Sequence, residues 1–114
     1  MNIKRGGIYL ASLDPAVGKE IAKTRPVLVI SNDIGNKYSG TVTVLPITSK
    51  KLHKVYPFEV LLPKGSGNLP KDSKLKADQI RTLDKARITS ELGFVKMAIM
   101  AEAEKAVKIH LDFS

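Results

Sequence analysis

Five apolar residues in succession, Pro26-Val27-Leu28-Val29-Ile30, stand between a charged loop and a cluster of turn formers, Ser31-Asn32-Asp33. A short, β-branched apolar run bounded in this way reads as a strand, and a strand without polar alternation must be covered on both faces. The rest of the chain therefore has to supply a sheet around this run and apolar cover above and below it. Gly7–Leu13 fits one neighbour, with Ile8, Leu10 and Ser12 on one side and Tyr9, Ala11 and Leu13 on the other. Thr41–Leu45 alternates Thr with Val, and Pro46 is expected to stop that strand at an edge or bend. Pro57–Leu62 is another short strand, followed by the loop Pro63–Asn68, expected to be flexible; further strands are predicted near Ser73–Lys76, Gln79–Leu83 and Arg87–Thr89. Ser31-Asn32-Asp33 and Gly35-Asn36 read as turns. Strands this short, with turn signals about every ten residues, predict a small barrel or a strongly bent sheet.

The period changes only at the end. Ile99, Met100, Ala103, Ala106 and Val107 share one helical face with Lys105 and Lys108 opposite, and Glu104 and Lys108 form an i,i+4 pair of favourable polarity. The expected fold class is mainly β (β-rich α+β), one domain over residues 1–114.

Composition narrows the function classes. The chain has no cysteine, so disulfides and thiolate metal sites are excluded, and a reducing cytoplasm is compatible. No apolar run approaches the roughly 18 residues of a membrane span, and no apolar segment of signal-peptide length follows the N-terminus. The expectation is a cytoplasmic protein without membrane contact. The formal net charge is +8, and residues 1–57 carry nine Lys/Arg against three Asp/Glu, which points to a polyanionic partner. His53 and His110 are far apart, no metal-ligand spacing is present, and no Gly-rich loop precedes a helix. No metal or cofactor is expected.

What remains is a set of polar residues at predicted strand ends: Glu20 and Arg25, Ser31 and Asn32, Thr48 and Ser49. On a small barrel these could converge on one rim. Arg25 is held by Pro26 in extended backbone, and its planar fork suits two phosphate oxygens; the plainer reading of it is a surface salt bridge. The plainer reading of Thr48, too, is a hydroxyl satisfying a turn after Pro46. Such an inventory is poor for most hydrolysis, yet adequate where the substrate brings its own nucleophile, as RNA does with its 2′-hydroxyl.

Arg5-Gly6-Gly7-Ile8-Tyr9, Leu13-Asp14-Pro15, Gly18-Lys19-Glu20 and Thr24–Asp33, with Pro46-Ile47-Thr48-Ser49, Tyr56–Val60 and Asp78–Arg87, together resemble the MazF/PemK toxins, the endoribonuclease halves of bacterial toxin–antitoxin pairs. The resemblance spans nearly the whole chain. It implies an SH3-like barrel with a C-terminal helix, assembled as a homodimer, that cuts single-stranded RNA at short sequences without a metal. The ends left would be a 2′,3′-cyclic phosphate and a 5′-hydroxyl, and a separate acidic antitoxin would hold the enzyme inactive. It further implies catalytic roles for Arg25 and Thr48, with Glu20 and Gln79 near the RNA path. Lys19 and Lys54 join them as RNA-binding candidates, and Lys50, Lys51 and Lys54 are expected to form a basic rim. One departure stands out: Ile21, Ala22 and Lys23 replace the glutamine and small residues that many members have before the arginine. The rival readings are a non-enzymatic, gyrase-binding toxin like CcdB on the same fold, and a relative that binds RNA without cutting it.

Overall fold

The computed structural model describes residues 1–113. Seven strands, β1 (Gly7–Ser12), β2 (Thr24–Val29), β3 (Thr41–Thr48), β4 (Glu59–Leu62), β5 (Ser73–Lys76), β6 (Arg81–Asp84) and β7 (Ile88–Phe94), form one antiparallel sheet. Two helices join them, α1 (Asp33–Tyr38) and α2 (Met97–Leu111). The strand order is β4-β5-β3-β2-β1-β7, with β6 also paired to β3. The fold is therefore mainly β with a C-terminal helix. The ladder is an open path from β4 to β7, not a closed barrel. The β1–β7 register shifts at Ile8/Tyr9 and at Leu10/Ala11, irregularities of the kind that raise local twist.

The central run is covered on both faces, as its composition requires. Val27 and Val29 pack on one side with Tyr9, Ala11, Leu13, Val42, Val44 and Leu83. Leu28 packs on the other with Ile8, Leu45, Ile47, Leu62 and Leu75, and α2 closes this second core with Ala103 and Ala106. No described helix is long and apolar enough to cross a membrane.

The structure departs from the sequence reading in several places. Pro46 does not stop its strand: β3 runs on to Thr48. Ile30 donates to the Thr43 carbonyl at 3.0 Å. Alternation along the antiparallel pair then makes Val27↔Pro46 a pair without mutual hydrogen bonds, so the nitrogen of Pro46 faces the other edge. On that edge β3 changes partner, from β6 up to Val44 to β5 from Ile47, and no donor is needed between them. The expected turns at residues 31–36 contain a short helix instead, because the residues that make turns also cap helices: Asn32 accepts from the Gly35 amide at 2.7 Å. The loop after β4 folds into a 3-10 turn, Ser66–Asn68, packed on β7 rather than free. Gly67, at φ +51°, allows this approach, since a Cβ there would lie 2.6 Å from Ile8 Cδ1. On α2, Glu104 pairs with the Arg5 guanidinium rather than with Lys108.

Candidate functional site

The β2–β3 register assembles the first part of the site. Its last paired residues are Val27 and Pro46, and carrying the register two residues further sets Arg25 opposite Thr48. Each stands two residues beyond that last pair, so the two-residue period of a strand puts both on the face that Val27 and Pro46 share. Both line an open hollow of about 230 Å³ with Ser49, Lys71 and Ser73, while Leu10, Pro26, Ile47 and Leu69 supply apolar wall. Arg25 is half-buried, and its Nε donates to the Ala22 carbonyl at 3.2 Å, which fixes the head group at the loop–strand junction. Thr48 Oγ1 accepts from the Lys50 amide at 3.2 Å, leaving its own proton available to a ligand. No carboxylate lines this hollow. Two cations and three hydroxyls around an apolar floor are the lining of an anion site.

Lys19, Glu20 and Gln79 meet in a second groove of about 380 Å³ with Val17, Asp78, Ile80 and Arg81. Their side chains are partly committed to the β1–β2 loop itself. The Gln79 amide accepts from the Ile21 amide at 3.2 Å and donates to the Lys19 carbonyl at 3.3 Å. Glu20 Oε1 accepts from the Val17 amide at 2.7 Å. Arg81 and Arg87 donate to the carbonyls of Leu13 and Ser12 at 3.2 and 3.1 Å. The departure from the family pattern at residues 21–23 thus sits in a loop tied down at many points, with Lys23 in the left-handed region at φ +69°.

Lys54 lines neither hollow; its ammonium stands 5.0 Å over the ring of Tyr56, which stacks on Phe58 at 5.4 Å. Ser31 and Asn32 do not converge with Arg25 and Thr48. They lie past the far end of β2, roughly 20 Å away at the rise of an extended strand. There Ser31 bonds Asn36 and the Thr43 amide, and Asn32 caps α1. Among the described residues no three His, Asp or Glu side chains gather as a metal-holding group.

Sequence reasoning did not single out Lys71 and Ser73, which the short β5 brings to the Thr48 hollow. It also missed a charged group behind Thr48. Glu59 is buried and accepts from Lys74 at 3.0 Å, Lys76 at 2.8 Å and the Tyr56 amide at 3.0 Å. Burial alone would push its carboxyl up. The hydrogen bonds from Lys76, the Tyr56 amide and Lys74 outweigh that and hold it below its ordinary value. The available signal was an acid inside the apolar run Phe58–Leu62, with lysines alternating along Ser73–Ala77.

The chain is similar to known proteins over nearly its whole length. Residues 4–111 match the family model described as PemK-like, MazF-like toxin of type II toxin–antitoxin system. Endoribonuclease MazF of Staphylococcus epidermidis is 44% identical over 112 residues, covering 98% of this chain and 93% of that protein. Endoribonuclease MazF9 of Mycobacterium tuberculosis is 41% identical over 115 residues, covering 96% and 97%. The crystal structure of MazF from Deinococcus radiodurans superposes with a TM-score of 0.85 at 29% identity, covering 98% of each chain. A MazE–MazF structure from the same organism gives 0.79 at 29% identity, covering 100% and 99%.

Proposed function

This chain belongs to the PemK-like, MazF-like toxins of type II toxin–antitoxin systems, and from that premise we propose that the Arg25–Thr48 hollow is where it cuts RNA. It is an endoribonuclease toxin, in keeping with two MazF endoribonucleases of 41% and 44% identity over nearly its whole length. That kinship disfavours a gyrase-binding, non-enzymatic toxin. The observation carrying the assignment is the acid-free hollow that Arg25 and Thr48 line together, each two residues beyond the last β2–β3 pair.

In this reading the substrate is single-stranded RNA, cut without a metal. The ribose 2′-oxygen attacks the adjacent phosphorus and the bond to the 5′-oxygen breaks. The proton lost by the 2′-hydroxyl balances the one gained by the leaving 5′-oxygen, giving a 2′,3′-cyclic phosphate and a 5′-hydroxyl. Arg25 is permanently protonated and serves as the preorganised cation for the extra charge on the five-coordinate phosphorus, not as a base. Thr48 orients a phosphoryl oxygen and relays a proton. Lys71 lies in the same hollow and adds to the field. Lys19, Glu20 and Gln79 extend the RNA path along the second groove, while Lys54 and its neighbouring lysines attract the backbone without choosing bases.

Its regulator is an antitoxin, as expected of the family and supported by the MazE–MazF structure of the Deinococcus relative. A net charge of +8 suits an acidic, disordered antitoxin segment that folds over the cationic surface. We further assign a homodimer acting in the cytoplasm, on family grounds.

The test is cleavage of a mixed-sequence RNA in excess EDTA, with a DNA control. Discrete cuts bearing cyclic-phosphate ends are expected, absent on DNA and reduced by about 10²–10³ in rate in Arg25→Ala and in Thr48→Ala. Folded wild-type protein that leaves a broad RNA pool intact would overturn the assignment.

A further inference from the structure

Residues 49–58 connect β3 to β4. They start beside Thr48 and carry Lys50, Lys51 and Lys54, all exposed. Beneath this loop lies a fourth lysine, Lys74, only 3% exposed. It faces Thr48 directly across the β3–β5 ladder, and the same strand pairs with β4 on its other side. This face of the sheet points away from the apolar core built by Ile47, Leu62 and Leu75. The loop, rather than α2, is what covers it.

An ammonium group has three donors. In Lys74 all three are used, each at 3.0 Å: on the Lys51 carbonyl, on the Lys54 carbonyl, and on Glu59 Oε1. Glu59 is cross-strand from Lys76 and also takes the Tyr56 amide, so the far end of the loop is tied to the same carboxylate. A buried cation under a loop already bearing three lysines works against Coulombic stability. What it contributes is geometry, because each of its hydrogens sets the place of one acceptor and two of those acceptors are the carbonyls that bracket the turn.

We propose that Lys74 is a positioning residue for the RNA: it holds the 51–54 turn so that Lys50, Lys51 and Lys54 stand over the phosphates of a strand lying across Thr48. Lys74 itself touches no RNA. The proposal rests on the nuclease reading above, but its signature is separable from cutting.

The readout is the salt dependence of RNA affinity. Each phosphate contact on a single strand contributes about 0.7 to the slope of log K against log salt concentration. The probe is a fluorescent mixed-sequence RNA with 2′-O-methyl riboses, which cannot cyclise, titrated from low to moderate KCl. Lys74→Met is expected to lower the slope by about 1.4, the value of two phosphate contacts, although residue 74 is out of reach of solvent. Glu59→Gln/Lys74→Met, which leaves the net charge unchanged, should show the same loss. Lys50→Gln/Lys51→Gln/Lys54→Gln should lower the slope directly, and adding Lys74→Met to it should lower it no further.

A wild-type slope in folded Lys74→Met, or slope losses that simply add, would overturn the proposal. Should Lys74→Met not fold, Glu59→Gln/Lys74→Met, which strands no buried carboxylate, is decided on the same terms. Cutting of unmodified RNA by the wild type, measured alongside, tests the nuclease reading separately. Intact cutting with an unchanged slope removes only the role of Lys74.

Discussion

Removing the carboxylate of Glu59 while keeping the bulk of the side chain should destabilise this protein more than most single changes. In Glu59→Leu the Lys76 head group, 22% exposed, can turn to water or towards Asp78, 3.8 Å away. Lys74 has no such route: its side chain is 4% exposed and keeps only two backbone carbonyls. Breaking a buried ion pair on one side costs about 3–5 kcal/mol, because the remaining charge is left uncompensated. With a melting entropy of about 2.1 cal/mol/K per residue, a chain of 114 residues should lose roughly 12–20 °C of Tm. Adding Lys74→Met removes the stranded charge and lets the Lys51 and Lys54 carbonyls turn to solvent, so the double variant should recover more than half of the loss. The assay is thermal unfolding by circular dichroism at one fixed protein concentration, because the proposed homodimer would make Tm depend on concentration. A loss under about 4 °C in Glu59→Leu, or a double variant no more stable than the single one, would refute the reasoning that Lys74 depends on Glu59 for its counter-charge.

The same carboxylate sets an acid limit. Its folded pKa lies below the ordinary 4.5, so its stabilisation is complete above that value and is lost as pH falls through the folded pKa. Asp33, held down by the Arg5 amide and Asn36, acts in the same direction. The urea midpoint of the wild type should fall from about pH 4.5 downwards, and a Glu59→Gln variant should lose less of its own midpoint over that range; parallel curves would count against it. Gly93→Ala tests the contact of β7 with the 3-10 turn. A Cβ there would lie 2.8 Å from the Gly67 carbonyl oxygen and 2.7 Å from Asn68 Nδ2. Asn68 is held by its bond to the Leu92 carbonyl at 2.8 Å, so backbone must shift, at a cost of about 1–3 kcal/mol. An unchanged urea midpoint would show that the turn relaxes freely.

The strands of this protein are legible because short apolar or alternating runs between turn formers have few other readings. Val27, Leu28 and Val29 need two cores, and the structure has two. Arg25 and Thr48 were legible as residues at strand ends, but ends alone do not say which ends meet. Ser31 and Asn32 satisfied the same criterion and lie at the opposite end of β2. Register decides between them, and register is a property of pairing that no single strand carries. The charged group behind Thr48 is hidden by the periodicity of its own strand. Lys74 and Lys76 alternate with Leu75 and Ala77, which reads as a strand with one wet face. The face is polar, but it is not wet: the β3–β4 loop lies over it and leaves Lys74 and Glu59 almost without solvent. Periodicity reports the face away from the apolar core and is silent on what else covers it. The overlooked clue was mixed sign. An acid in β4 opposite one lysine of β5 and diagonal to a second can neutralise charge internally, whereas a solvated face on so basic a chain has no need of it. Where a polar strand face carries its own counter-charges in register, cover by a loop is the reading to try first, and that loop is where ligand-facing cations are held in place.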